Sequence, residues 1–334
     1  MKKTWMPADP IMVQNARLQS KGHKLWLEIL IFILLFFIAG MVEGILILIP
    51  TMVGLFSTPA FQEYIEYVTN YGFDINMYMD SLQEMLQQVP TWVTLCNLFA
   101  TIGIIVTAVF YCTKIEKRKL STLGLTKKKI FSEYGLGLGI GFLMFAVVIG
   151  LNLLVGGVKF DGVTFRVQIL PMLLITLIGF MLQGASEEIL CRGYLCVSVS
   201  RWMPLWVGIL VNSLAFAFLH LMNPGVSVLA IVNIFLFGVF MTVYMIRRGN
   251  LWGVCAIHSI WNFTQGNIFK MSVSGMNTGD SVIKMRPVED AAIWNGGAFG
   301  PEGGLCVTIV LVAAILVVLL FCKNKDLGQK MQNA

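Results

Sequence analysis

Charge is scarce in this chain. Only 13% of its 334 residues are Asp, Glu, Lys or Arg, while 57% are hydrophobic. A soluble domain carries about 25% charged and about 45–50% apolar residues. The shortage excludes a soluble globular protein, and no stretch outside the apolar runs is long or apolar enough to build a second core. Histidine is scarcer still, with three in the whole chain: His23, His220 and His258. The seven cysteines form no CxxC and no paired spacing outside apolar segments, which argues against a disulfide framework; Cys191 and Cys255 read as small apolar packing residues rather than soft metal ligands. The net charge of +6 is no sign of nucleic acid, because the basic residues cluster beside apolar runs, as the positive-inside rule requires. The first apolar run is far longer than a signal-peptide core of about 7–15 residues and lacks a small-residue cleavage site, so it reads as a span.

What is present is a series of apolar runs long enough to cross a bilayer. Eight spans are expected, at 25–56, 91–112, 134–156, 168–201, 204–222, 226–246, 251–269 and 304–322. The fold class is therefore an all-α polytopic membrane helix bundle. Residues 114–129 hold seven basic residues against Glu116, Arg247 and Arg248 close the sixth span, and Lys2, Lys3 and Lys21 and Lys323, Lys325 and Lys330 flank the chain's ends. Eight spans with both termini cytoplasmic put all these flanks on one side. Residues 57–90, with five acids and no Lys or Arg, then fall outside; their recurring aromatic and aliphatic residues suggest short amphipathic helices on the membrane surface. The run GLGLGIG at 135–141 lacks the GxGxxG pattern and any preceding strand. Its small residues at i and i+4 read as a close helix–helix contact.

The stretch 181–201, MLQGASEEILCRGYLCVSVSR, is the anomaly. Glu187, Glu188 and Arg192 sit in an apolar run, and an acid in lipid costs several kcal/mol unless paired, hydrated or neutralised. Glu188 and Arg192 are one turn apart with the acid N-terminal, the favourable order for a pair. Glu187 is rotated by about 100° and points elsewhere. His220 and His258 lie inside spans, with Phe216 one turn before the first and Asn262 one turn after the second. Glu43, inside the first span, is either functional or paired within the bundle.

Depth is a check on convergence. Glu187 precedes Arg201 by 14 residues and His220 follows Pro204 by 16, so both stand roughly 21–24 Å from the turn joining their helices. His258 stands only 7 residues, roughly 10 Å, past Leu251, which is a mismatch. A tilted or offset seventh helix, or a turn well outside the membrane, would absorb it.

These residue types suit water activation. A carboxylate in apolar surroundings can act as a general base near neutral pH, a histidine at the same level can share the water, and a second histidine and an amide can donate to an oxyanion. Glu187, His220 and His258 also make a zinc ligand set, with an open position for water. Metal-free and zinc-dependent hydrolysis both remain open. An intramembrane histidine also serves as a helix-bridging donor, and a buried Glu–Arg pair as a structural tie.

At these residues the sequence resembles the CPBP family, the CAAX proteases and bacteriocin-processing enzymes also called the abortive-infection family. The family pattern is EExxxR, FxxxH and HxxxN on successive membrane helices. EEILCR at 187–192, FAFLH at 216–220 and HSIWN at 258–262 match it in order. The resemblance spans about residues 114–269, with GGAFGPEGG near 300 also similar. It divides the chain into residues 1–113, a tail with two spans and the acidic segment, and a protease-like core at 114–334.

The resemblance implies an intramembrane endopeptidase, metallo- or glutamate-type, acting on a membrane-associated peptide or protein. Glu187 and His220 would position the water, His258 and Asn262 would serve the oxyanion or a metal, and Glu188 and Arg192 would support them. It implies a multi-pass protein, of the plasma membrane if bacterial, whose partners are substrate and lipid rather than nucleic acid. Two other classes fit the same residues: a proton-coupled transporter, against which the lack of an inverted repeat stands, and a non-catalytic immunity or scaffold protein.

Overall fold

The computed structural model describes residues 9–19 and 22–322. Lys2, Lys3, Lys21, Lys323, Lys325 and Lys330 lie outside the described residues. The architecture is an all-α bundle. In chain order it comprises α1 (Ile11–Gln19), α2 (Leu25–Phe56), α3 (Pro59–Tyr71), α4 (Ile75–Gln88), α5 (Thr91–Ile115), α6 (Ile130–Leu154), α7 (Val167–Trp202), α8 (Leu205–Leu219), α9 (Val228–Arg248), α10 (Trp252–Phe263) and α11 (Leu305–Phe321). Five of these, α2, α5, α6, α7 and α9, are long and apolar enough to cross a membrane. With these helices the chain is an integral membrane protein. The helices expected as fifth, seventh and eighth spans are present but shorter: α8 has 15 residues, α11 has 17, and α10 reaches its length only through a π-turn at Thr264–Ile268. Large apolar side chains such as Phe37, Ile49, Phe142 and Leu320 are exposed on the bundle surface, the face that lipid covers.

Small residues set the spacing inside. A Cβ on Gly137 would lie 2.4 Å from the Gly253 carbonyl oxygen, and one on Gly141 would lie 2.6 Å from that of Ile257. Gly135 and Gly139 have nothing within 4 Å. Half of the GLGLGIG run therefore does what its spacing predicts, holding α6 against α10, and the other half faces away. Gly184 does the same for α7 and α10, where an added Cβ would come within 2.8 Å of Ser259 Oγ. Gly103 lets α5 close on α2 at Val42 and Glu43.

The basic end is tied by ion pairs. Arg201 Nη2 donates to Glu28 Oε1 at 2.9 Å and Glu116 Oε1 at 2.6 Å, and Arg118 reaches Glu116 at 2.8 Å. Arg248 grips Glu133 with two nitrogens, at 2.8 and 2.9 Å. Glu28 and Glu133 stood unpaired in the sequence because Arg201 and Arg248 lie far along the chain. Helix α1 is also tied there, burying Met12, Val13 and Ala16 while Arg17 donates to the Ser200 carbonyl. A polar, basic tail was expected at that position; a single apolar turn face is enough to dock it.

The opposite end carries the loops. Residues 57–90 form two helices, α3 and α4, each capped as its sequence prescribes: Thr58 accepts from Phe61 N, and Asp74 from Asn76 N and Met77 N. Residues 270–303, between the seventh and eighth expected spans, supply a strand, β2 (Ile283–Pro287), which pairs antiparallel with β1 (Val158–Val163) and breaks register between Phe160 and Gly162. Neither segment alternates cleanly in the sequence, since a two-stranded ribbon has no buried face to enforce alternation. The exposed ion pair of Asp161 with Lys284, 2.7 Å apart, crosses the ribbon and holds the Asp161 carboxyl below its ordinary range, by hydrogen bond first and charge second.

Candidate active site

Helix α7 is not uniform. Immediately after Glu188 it widens into a π-helix over Ile189–Cys196 before tightening again. Such turns absorb one extra residue and recur at functional positions. All eight residues of this stretch are buried. It begins at the pair that the sequence marks as anomalous.

Glu188 and Arg192 are paired as expected, with Arg192 Nη1 3.0 Å from Glu188 Oε1 and neither side chain exposed. The same carboxylate oxygen lies 2.8 Å from His258 Nδ1. Glu188 therefore ties Arg192 on its own helix to His258 on α10. Arg192 also lies over the Phe216 ring, 4.0 Å from its centroid, a cation–π contact in a dry setting. Phe216 has a second part, since its carbonyl oxygen stands 2.8 Å from His220 Nδ1. A carbonyl can only accept, so His220 carries its proton on Nδ1 and keeps the Nε2 lone pair free. For His258 the carboxylate of Glu188 likewise claims the Nδ1 proton, leaving Nε2 as the acceptor.

Glu187 faces away from Glu188, as the 100° rotation requires. Its Oε2 lies 3.7 Å from His258 Nε2, and its Oε1 accepts from Gln183 Nε2 at 2.6 Å. Gln183 Oε1 in turn accepts from Asn262 Nδ2 at 2.9 Å. Asn262 thus reaches Glu187 through an intermediary absent from the three motifs. Gln183 was readable as the residue one turn before Glu187, but a lone glutamine carries no signal until its partner across the helix interface is known.

Glu187, His220, His258, Gln183 and Asn262 line one cavity of about 310 Å³. Its other walls come from α2 and α5, which contribute Phe36, Glu43, Thr94 and Thr101, and from residues 273–278. That last segment is fixed by Glu302, whose Oε2 accepts from both the backbone N and the Oγ of Ser274 at 2.8 and 2.7 Å. Asn223 Nδ2 donates to the Ser274 carbonyl at 3.1 Å. GGAFGPEGG therefore shapes the cavity at one remove, through Glu302. The π-turn after Asn262 ends the wall on that side.

The depth mismatch of His258 has a local cause. The turn before α10 does not lie level with the α7–α8 turn. Residues 118–126 fill the space beneath it: Leu251 N donates to the Gly124 carbonyl at 2.9 Å, and Trp252 Nε1 to that of Thr126 at 2.7 Å. Leu251 meets α7 at Gly193, where an added Cβ would be 3.5 Å from Leu251 Cδ2. Counted from that contact, Glu187 is six residues up α7 and His258 seven up α10, so the two stand level. Measured from that contact instead of from the α7–α8 turn, the discrepancy disappears.

The zinc ligand set is right in type but not closed. Among the described residues, the one group whose three ligand atoms all lie within 4.8 Å is His23, Glu28 and Glu116. Arg201 already supplies the cation there. Glu187, His220 and His258 do not meet that distance together, so the residues as arranged do not fit a zinc ion. Cys191 and Cys255 are both buried, and Cys191 also lines the cavity.

The fold and the cavity define a class: a polytopic helical membrane protein with an ionisable site enclosed in its bundle. Residues 168–264 match the family model described as Rce1-like, type II CAAX prenyl endopeptidase Rce1-like. The match contains all three motifs and is consistent with the resemblance to the CPBP intramembrane proteases. It covers less than a third of the chain and leaves out α1 to α6 and α11. No curated protein and no solved structure gives a match.

Proposed function

We propose that this chain is an intramembrane endopeptidase that hydrolyses a peptide bond of a membrane-associated peptide or protein, with Glu187 as the general base. The observation that carries the reading is that Glu187 Oε2 and His258 Nε2 stand 3.7 Å apart on the wall of a water-sized to peptide-sized cavity, each held by its own support. Gln183 and Asn262 orient the carboxylate; Glu188 and Arg192 orient the imidazole.

The steps follow from those positions. Water between Glu187 and His220 gives a proton to the Glu187 carboxylate as its oxygen bonds to the substrate carbonyl carbon. Charge develops on the carbonyl oxygen, and the second amide hydrogen of Asn262 can donate to it. Collapse of the tetrahedral intermediate breaks the C–N bond, and the proton on Glu187 passes to the departing amine. No metal ion enters these steps. Arg192 is placed to hold Glu188 in position and does not touch substrate.

Orientation follows from charge. The end holding residues 114–129, Arg201, Arg247 and Arg248 is assigned to the cytoplasm, with both termini, and the membrane is the plasma membrane if the source is bacterial. Eight helices then cross or enter the bilayer, with α8, α10 and α11 as the short ones. Thr94, Asn223 and residues 273–278 line the cavity from the other end, so the scissile bond is reached from the extracytoplasmic half.

Purified full-length protein incubated with membrane-anchored peptides tests the reading. Cleavage is expected, and it should be abolished in Glu187→Gln and in His220→Ala. Cleavage that survives both changes overturns it. Solute flux in proteoliposomes that depends on Glu187, without cleavage, would point to the transporter class.

A further inference from the structure

Glu43 is the one carboxylate of the first span that the ion-pair network at the basic end does not use. It lies on α2, outside the stretch similar to the Rce1-like family, and none of the three motifs includes it. Yet it lines the same cavity as Glu187, His220 and His258. Its position is built. Gly103 of α5 has no side chain, and a Cβ there would lie 3.0 Å from Val42 Cγ1 and 3.4 Å from the Glu43 backbone nitrogen, so α2 approaches α5 closely at this level. Thr101, two residues before that glycine, lines the cavity as well.

Glu43 is half-buried and, among the described residues, has no hydrogen-bond or ion-pair partner. A carboxylate at such depth is expensive without one. The residues lining the cavity include no Lys or Arg, so nothing in the wall balances Glu43 and Glu187. The loops around this end continue the imbalance. Residues 57–90, 155–167 and 269–304 together hold ten acids and five bases, whereas residues 114–129 hold seven bases and one acid. A cleft lined by one sign of charge inside low-dielectric walls concentrates the opposite charge.

We propose that Glu43 is a specificity residue: it receives a cationic group of the substrate, a lysine or arginine side chain or a free α-amine, close to the bond that Glu187 hydrolyses. The inference rests on the peptidase reading and deepens it. The cation that balances Glu43 arrives with the substrate. A neutral peptide leaves two carboxylates in the cavity uncompensated and binds less well. The acidic loops draw the cationic segment to the cavity, and Glu43 fixes its register against Glu187.

Full-length protein in detergent and a set of membrane-anchored apolar peptides decide the matter. In each peptide one position, scanned in turn, carries lysine, its neutral isostere norleucine or glutamate. Wild type is expected to cleave the best lysine peptide at least about tenfold more efficiently in kcat/KM than its norleucine counterpart. Glu43→Gln should shrink that ratio toward one, and Glu43→Lys should shift preference to the glutamate peptide. Equal cleavage of the lysine and norleucine series by wild type overturns the inference while leaving the peptidase reading standing. A wild-type ratio that persists in Glu43→Gln also overturns it. Cleavage of no peptide by wild type overturns the peptidase reading itself, and this inference with it. The wild-type comparison stands even where a variant fails to fold.

Discussion

Glu188 Oε1 is shared: it lies 3.0 Å from Arg192 Nη1 and 2.8 Å from His258 Nδ1, although His258 is 70 residues further along the chain. One oxygen thereby connects the EExxxR and HxxxN motifs, and the adjacent carboxylate is left for the cavity. Two neighbouring glutamates have separate duties, and substitutions at each should fail in different ways.

Glu187→Gln keeps the hydrogen bond with Gln183 possible and removes the base. It should lower kcat by about 10²–10⁴-fold, the range for a positioned general base, with little change in thermal stability. Peptide-cleavage rates and melting temperatures measured together check both halves of the statement.

Glu188→Ala strips a buried arginine of its partner and frees the His258 ring. Breaking a buried pair in this manner costs about 3–5 kcal/mol. The variant should lose most of its folded population or melt much earlier, and its residual cleavage should be low for that reason. A variant that melts like wild type would contradict the role assigned to Glu188.

Gln183→Leu tests the relay from Asn262 to Glu187. The cavity keeps its shape, but the carboxylate loses a 2.6 Å donor. A fall of about 10–100-fold in kcat with KM nearly constant is expected, by analogy with supports that orient ligands and bases at other sites. An equal loss in Asn262→Leu, with no further loss in the double variant, would establish that the two act as one unit.

Gly184→Ala places a methyl group within 2.8 Å of Ser259 Oγ and 2.9 Å of its backbone nitrogen. Backbone cannot yield as a side-chain tip does, so α7 and α10 must separate. Overpacking of this type costs about 1–3 kcal/mol. The variant should lose activity even where it remains folded, because the Glu188–His258 contact depends on that spacing. Gly139→Ala, with open space around it, is the control.

Chelation separates the two hydrolytic chemistries that the residue types allow. With Glu187, His220 and His258 not brought together at ligating distance, cleavage is expected to survive treatment with a strong chelator. Loss of activity restored by stoichiometric zinc, with metal content of one per chain, would overturn that expectation and require His220 to move inward.

Most of the bundle was legible in the sequence because lipid imposes one rule: apolar runs long enough to span must be helical. The helix bounds followed within a few residues, and the Glu188–Arg192 pair followed from 3.6-residue periodicity alone. What failed were features fixed by partners distant in sequence. Glu28 and Glu116 gave no hint of Arg201. The strands at 158–163 and 283–287 exist only through each other. The level of His258 depended on residues 118–126 lying beneath a recessed turn, which no count along α10 could reveal. Gln183 was invisible as a site residue for the same reason, and Glu43 stood open between function and pairing: each is one polar residue in an apolar run until the opposing helix is in place.

The π-helix at Ile189–Cys196 has one more consequence. On one side of it α7 aims Glu188 at His258; on the other it aims Arg201 at Glu28 and Glu116. The extra residue sets the angular phase between these two fixtures, since each residue of an α-helix turns the chain by about 100°. Removing a single residue anywhere between the two fixtures would leave either the basic-end anchor or the cavity wall correctly aimed, never both. That makes the interior of α7 intolerant of any change in length, though open to many changes of side chain.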